Sequence, residues 1–507
     1  MTNALSKDIT SRLPGELLRR VFASTNPMPL ELSLDCTRLK DHGLVSGATS
    51  VWTLSHVCCR WREIAISTPH LWAKIMVVFP DPGTDESGED PNELDSVVGV
   101  AEYLLRLQLE RSKGVSLQIK MSELSRPHRL FDVLLTRSDR WEIAVVGIYF
   151  DGDPEAAGEV LSNLGRLSGR CSQLHTLEIT LRSDPYQTAL ELDAEDAMCA
   201  LQDLPSLTNA SLKGDIFDLV SLPWSQLTAL ELRVAHWYTT TRVEEILSEC
   251  HQLDRLGLSY EVDGDLDHDE PTPGPTGTLT TLRYLAFGQS SMSGIVVPLC
   301  MPKLEGLDVL YGAISPPDMA SMIQASSCSL TTLRIGSVSP DLGQYEEMYR
   351  QLEELLRMNL TLKELYWGFS LWHSCEEKKP GDTDPLFRML TMHHSEPNLC
   401  PILERLDVED TRFDAEPFLA MLDSRINSHH RSLDFLRVTG YYTGTLDTVP
   451  TLSDVFDDRQ RHRFEALAQH LQGVSVLDWK RGVVLRGGVD AVIPGHIEAM
   501  FSVAPLD

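Results

Sequence analysis

The pattern L-x-x-L-x-L recurs along most of the chain and constrains its fold more than any other feature. It stands at Leu174-Leu177-Ile179, Leu227-Leu230-Leu232, Leu253-Leu256-Leu258 and Leu282-Leu285-Phe287. It returns at Leu304-Leu307-Val309, Leu330-Leu333-Ile335, Leu362-Leu365-Trp367, Leu403-Leu406-Val408 and Leu433-Leu436-Val438. Leu207-Ala210-Leu212 is a degenerate copy, and Trp141-Ala144-Val146 and Val474-Leu477-Trp479 are candidate first and last members. Successive first positions from Leu174 to Leu433 lie 33, 20, 26, 29, 22, 26, 32, 41 and 30 residues apart. The second and third apolar positions are two apart, so they point to the same side of a short strand. Segments between strands, such as Val243 to Leu253, have helical spacing and would cover the apolar side. A unit this small cannot bury its apolar side alone and must stack on its neighbours.

The residue between the second and third apolar positions falls on the opposite face and is expected to be exposed. That rule selects Glu178, Glu231, Asp308, Arg334, Tyr366, Asp407 and Arg437 as candidate residues for binding a partner. Tyrosine and arginine are enriched at binding hot spots.

The N-terminal region has a different pattern. Val51, Leu54, Val57, Cys58 and Trp61 recur at helical spacing, which predicts one helix with a single apolar stripe. Pro69 should end it, with Leu71 and Trp72 just beyond. Upstream, Leu13 to Phe22 reads as a short helix with Pro14 in its first turn and Leu17, Leu18, Val21 and Phe22 along one side. An acidic, Pro- and Gly-bearing stretch after Phe79 reads as a linker. Val97 to Arg111 then predicts a helix with Val100, Tyr103, Leu104, Leu107 and Leu109 as its apolar side. Val115 to Lys120 and Trp141 to Phe150 predict strands. Near the end, Asp454 to Gly473 predicts a helix with Phe456, Phe464, Leu467 and Leu471 inward, followed by a hairpin over Val483 to Ile493.

The two N-terminal pieces, in the form LPxELLxxVF … LxxVCxxWRxIAxSTPxLW, resemble an F-box over about the first 75 residues. The resemblance implies docking on a Skp-type adaptor and, through it, on a cullin. It matches Leu13, Pro14, Leu17, Leu18, Val21 and Phe22, and then Val57, Cys58 and Trp61, to adaptor-facing positions. The repeats resemble the irregular leucine-rich repeats found behind F-boxes. They lack that family's buried Asn or Cys after the leucines, and Cys171, Cys250 and Cys400 precede the first leucine by three instead. The implied fold is α/β, a small all-α F-box head followed by an irregular leucine-rich-repeat-like solenoid. The expected domains are a head over 1–79 with an internal loop at 23–50, an acidic linker or loop over 80–96, and a solenoid with a C-terminal cap over 97–507. The implied function is a non-catalytic substrate-recognition subunit of a ubiquitin ligase, with an unknown client protein on the repeats. The alternative is a scaffold that uses its F-box on the adaptor alone.

Composition supports these expectations. Forty-four Lys and Arg against 74 Asp and Glu give a net charge of −30, which argues against nucleic acid or an anionic membrane as partner. The first 79 residues are mildly basic, with nine Lys and Arg against six Asp and Glu. No run of apolar residues is long enough to span a membrane, and the start lacks the apolar segment of a signal peptide. Ten cysteines without a CxxC pair predict neither a disulfide framework nor a zinc module, and point to the cytosol or nucleus.

The alternation Asp263, Asp265, Asp267, Asp269 has His268 and Gly274 where a calcium loop of the EF-hand type needs Gly and Glu. The pairs His393-His394 and His429-His430 diverge on any regular element and predict no metal site. No phosphate loop, nucleophile elbow or zinc-protease helix is present, so no catalytic residue, metal or cofactor is expected.

Overall fold

A computed structural model of the chain describes residues 13–24, 30–33, 45–46, 51–79, 91–150, 154–183, 199–214, 216, 219–234, 240–260, 277–288, 299–310, 315–338, 345–369, 381–393, 397–427, 433–440, 456–476 and 484–486. The acidic loop over 263–276, His394, His429, His430, Trp479 and the tip of the expected C-terminal hairpin lie outside them. The chain divides into two compact units, with the boundary between Ala235 and His236.

Unit 1 begins with helix α1 (Gly15–Ser24), strands β1 (Leu30–Ser33) and β2 (Val45–Ser46), and helices α2 (Val51–Val57) and α3 (Cys59–Ile66). A 3-10 turn over Pro69–Trp72 leads into β3 (Lys74–Val78) and α4 (Pro91–Arg111). Then come β4 (Leu117–Leu124), α5 (Arg129–Leu135), β5 (Trp141–Phe150), α6 (Pro154–Gly165), β6 (Thr176–Ser183), β7 (Cys199–Ala200), β8 (Asn209–Lys213), β9 (Val220–Ser221) and β10 (Ala229–Val234). The main sheet runs β1-β3-β4-β5-β6-β8-β10, with each neighbouring pair parallel. Strand β2 adds antiparallel to β1.

Unit 2 contains α7 (Thr240–Glu249), β11 (Arg255–Tyr260), β12 (Gly277–Thr278), β13 (Tyr284–Gly288), β14 (Leu299–Cys300), β15 (Gly306–Val309), α8 (Pro316–Ser326) and β16 (Thr332–Val338). It continues through α9 (Tyr345–Met358), β17 (Glu364–Phe369), β18 (Gly381–Asp382), α10 (Asp384–Leu390), β19 (Arg405–Arg412), α11 (Ala415–Ile426), β20 (Phe435–Gly440), α12 (Asp458–Ala468), β21 (Gly473–Val476) and β22 (Val484–Arg486). Its sheet runs β11-β13-β15-β16-β17-β19-β20-β21, again parallel throughout.

This architecture overturns the expected all-α head followed by a solenoid. The protein is α/β, with long parallel sheets, and the sheet of unit 1 starts inside the expected head, at β1 and β3. The physical reason is the run Lys74-Ile75-Met76-Val77-Val78, whose alternate side chains Ile75 and Val77 are fully buried. Once that segment pairs with β4, the head has no boundary at residue 79.

The leucine pattern sets the register of both sheets. Leu177 lies opposite Ala210, and Ala210 opposite Leu230; in unit 2, Leu256, Leu285, Leu307, Leu333, Leu365, Leu406 and Leu436 align in one row. All of these leucines are buried. The first leucine of several units closes a bend one turn long, as where the Leu304 N–H donates to the Met301 carbonyl at 3.1 Å. Just after it, a lateral chain of backbone bonds joins the turns, with Glu305 N–H on Arg283, Thr331 on Glu305, Lys363 on Thr331 and Glu404 on Lys363.

Helices cover the leucine side. Val243, Ile246 and Leu247 of α7 are buried, as are Phe464 and Leu467 of α12 with Phe456 and Leu471 beside it. In α4 the inward side is Val98, Ala101, Leu105 and Leu109, while Val100 and Tyr103 are exposed. The expected apolar side was thus rotated, because Gln108 also turns inward, where its Nε2 donates to the Lys74 carbonyl at 2.7 Å.

Gly214 closes the end of β8 with φ +80°, and its N–H donates to the Arg233 carbonyl at 2.8 Å. A Cβ there would strike the Leu181 carbonyl oxygen. Gly214→Ala should therefore cost about 1–3 kcal/mol of stability, measurable by urea denaturation.

Candidate functional site

Three places carry the residues selected from the sequence: the N-terminal helices of unit 1, the polar face of the unit 1 sheet and the polar face of the unit 2 sheet. In the first, the single predicted helix is broken. Cys58 is extended (φ −159°, ψ 169°) and caps α3, with its Sγ accepting the Trp61 N–H at 3.5 Å. Leu54 before the break and Trp61 after it still pack on one cluster, but the stripe is unevenly buried. Val51 is buried against Ala65 and Trp72, whereas Val57, at the end of α2, is 57% exposed.

Leu18 and Phe22 are buried against Ile64, with Leu13, Leu54, Trp61 and Leu71 partly buried around them. The Phe22 and Trp61 rings lie 4.9 Å apart. Leu18 and Phe22 therefore hold α1 on α3 and present nothing to a partner, which corrects their selection as contact residues. Leu17 and Val21 sit one turn apart and are 43% and 45% exposed. Pro14 is exposed and its carbonyl accepts the Leu17 and Leu18 N–H groups at the start of α1. Leu13, Cys58 and Trp61 are half-buried; the Leu13 carbonyl accepts from the Arg60 guanidinium.

This layer is fastened to the turn before β3 and to the end of α4. The Trp72 Nε1–H donates to the Ala65 carbonyl at 2.8 Å, and the Arg111 guanidinium lies over the rings of Trp72 and Trp52 at 4.4 and 4.7 Å. Burial pulls the Arg111 pKa below its ordinary value.

On the unit 2 sheet, Asp308, Arg334, Tyr366, Asp407 and Arg437 occupy one lateral row, each opposite the next. Arg334, Tyr366 and Arg437 are half-buried. Asp308 and Asp407 are only 1% and 2% exposed, so the expectation that they face a partner is corrected. Large neighbours screen them: alternation along a strand decides the face of a residue, and the side chains on adjoining strands decide its depth.

The Tyr366 hydroxyl donates to Glu409 at 2.7 Å, and Arg437 Nη2 lies 2.9 Å from the same residue. Burial pushes the carboxyls of Asp308 and Asp407 up to about 7, against the lowering influence of Arg334 on Asp308 and chiefly of Arg437 on Asp407. Glu409, Glu364 and Arg405 share this face, as does Arg255 in the same lateral row as Glu364 and Arg405. They were missed because only the position between the two apolar residues was scored, although residues two before and two after it share its face.

In unit 1, Glu178 opposes Ser211, and Ser211 opposes Glu231. Glu231 is 2% exposed, again against expectation, and accepts from the Ser211 hydroxyl at 2.7 Å. Burial raises its pKa. Half-buried Glu178 pairs with Lys213 at 2.8 Å.

Among the described residues no group of three or more His, Cys, Asp and Glu could hold a metal ion. Among them, also, no helix is long and apolar enough to cross a membrane. Buried Cys171 and Cys250 have their thiols pushed up to about 12 by desolvation, which makes them poor nucleophiles. No family model matches the chain, and no curated protein matches it.

Proposed function

We propose that this chain is a non-catalytic recognition subunit that docks a Skp-type adaptor, and through it a cullin, by its N-terminal helices. The observation that carries this reading is the division of α1. Leu18 and Phe22 hold its inner side, while Leu17 and Val21 leave an apolar outer side in water. Exposing such residues is unfavourable by about 25 cal/mol per Å² of apolar surface, and a partner helix or loop would relieve it. The F-box resemblance names the class of partner. A client protein would then lie on the polar sheet face around Arg334, Tyr366 and Arg437, and tethering it beside the ligase would raise its effective concentration. Such work belongs in the cytosol or nucleus.

The test is co-purification of the full chain with a Skp-type adaptor, followed by a blot for cullin. Recovery of both supports a ligase subunit. Adaptor without cullin replaces that reading with a scaffold on the adaptor alone. Failure of the folded chain to retain the adaptor removes both.

A further inference from the structure

Asp308 and Asp407 combine three properties that a purely structural carboxylate seldom has. Both are buried, among the described residues neither oxygen of either group has a hydrogen-bond donor, and both lie among other charges in the same lateral row. Buried carboxylates ordinarily gain two or more donors, and an ionised one without them carries most of its desolvation cost.

The groups facing them can be named strand by strand. Asp308 on β15 has Tyr284 from β13 across Gly306, where a Cβ would lie 2.6 Å from the ring, and Arg334 from β16 beside it. Asp407 on β19 has Arg405 and Glu409 on its own strand, Glu364 and Tyr366 from β17, and Arg437 from β20. Arg334 acts on both carboxyls.

Three of the neighbouring donors, all around Asp407, are aimed elsewhere. Tyr366 donates to Glu409, and Arg437 Nη1 stays 3.6 Å from Asp407 while its Nη2 lies close to Glu409. Arg405 lies over the Phe435 ring at 4.2 Å. On this face Arg255, Arg334, Arg405 and Arg437 meet four carboxylates when all are ionised. With Asp308 and Asp407 protonated, the same four meet two.

We propose that Asp308 and Asp407 are a proton-responsive pair whose protonation both tightens the unit 2 sheet and turns its polar face from neutral to positive. The device goes beyond the docking function and holds whether or not an adaptor binds. Its direction follows from burial. In the folded chain each carboxyl is raised to about 7, while in the unfolded chain it returns to the ordinary range near 3.8. Between those values the folded state binds the extra protons, so stability from this source is full at the acid end and declines as pH rises through about 7.

The experiment is amide hydrogen exchange of the full chain, read on β15 and β19 and corrected for intrinsic exchange. On going from about pH 6 to about pH 8, protection should fall roughly tenfold for each carboxyl. In Asp308→Asn and Asp407→Asn, the share of the altered group should vanish, and the double variant should keep level protection. Arg334→Gln supplies a second readout. Loss of a cation that favours both ionised forms should move the midpoint to higher pH, whereas simple loosening would lower protection equally at every pH. A double variant that retains the wild-type pH dependence, or an unmoved midpoint in Arg334→Gln, would overturn the proposal.

Discussion

Arg425→Ala is expected to destabilise unit 2 by about 3–5 kcal/mol, a large part of the stability of an ordinary domain. Arg425 on α11 is 1% exposed, and its guanidinium donates to three backbone carbonyls. Its Nε donates to the Leu390 carbonyl at 2.8 Å, its Nη1 to Cys400 at 2.9 Å and its Nη2 to Leu399 at 2.9 Å. Leu390 ends α10, where unpaired carbonyls and the negative end of the helix dipole favour a cation. Cys400, with φ 45°, is held in the left-handed region at the bend before β19.

One guanidinium thus joins three elements, and alanine would strand three buried acceptors and open a cavity. Burial still pulls the guanidinium down to about 10, so it stays charged at neutral pH. Urea denaturation, read with hydrogen exchange over α10 and β19, measures the loss. Arg425→Lys should recover less than half, since an ammonium cannot place three donors in the same plane. A loss below about 1 kcal/mol in Arg425→Ala would show that water replaces the guanidinium at these carbonyls.

Arg140 has the same role in unit 1, with Nε 2.9 Å from the Val115 carbonyl and Nη2 2.8 Å from the Ser112 hydroxyl. Neither arginine could be read from the sequence. Each satisfies carbonyls 25 to 35 residues away, and nothing in local spacing marks the site. The leucine rows were readable for the opposite reason. A two-residue alternation fixes which side of a strand is apolar, and parallel stacking repeats that choice at every turn.

The limits of local pattern are clear at four further places. Asp308, Asp407 and Glu231 were assigned to the correct face but the wrong depth. Charge reversal there would bury an unmatched charge, so it tests folding rather than client capture. In α4 the apolar residues fall on two sides, and the buried Gln108, tied to Lys74, decides which side turns inward. At Cys58 the helical spacing continues through a residue whose backbone is extended. The sheet inside the head was hidden because β1 and β3 pair only after a long connection, which no periodicity records.

Leu17→Asp combined with Val21→Asp should weaken adaptor binding by at least about 100-fold while leaving the chain folded. The argument rests on which side of α1 each residue occupies. Leu17 and Val21 are close to half exposed, so a carboxylate at either position stays in water in the free protein. In a complex the same carboxylates would be desolvated against an apolar partner, and the lost apolar burial adds to that cost. Two such positions, at roughly 1.5 kcal/mol or more each, give the stated factor.

Trp61→Ala should behave differently. Trp61 packs on Phe22 and the cluster of Leu18 and Ile64, so its removal loosens α1 from α3 and lowers stability together with binding. Leu18→Asp should unfold these helices outright, because it places a charge in a position only 1% exposed. Titration calorimetry with a Skp-type adaptor, beside thermal unfolding of each variant, separates the cases. Equal affinity for wild type and the folded Leu17→Asp/Val21→Asp chain would eliminate this side of α1 as the docking surface. Adaptor binding, if found, would then have to reside at exposed Val57 and the half-buried Cys58 beside it.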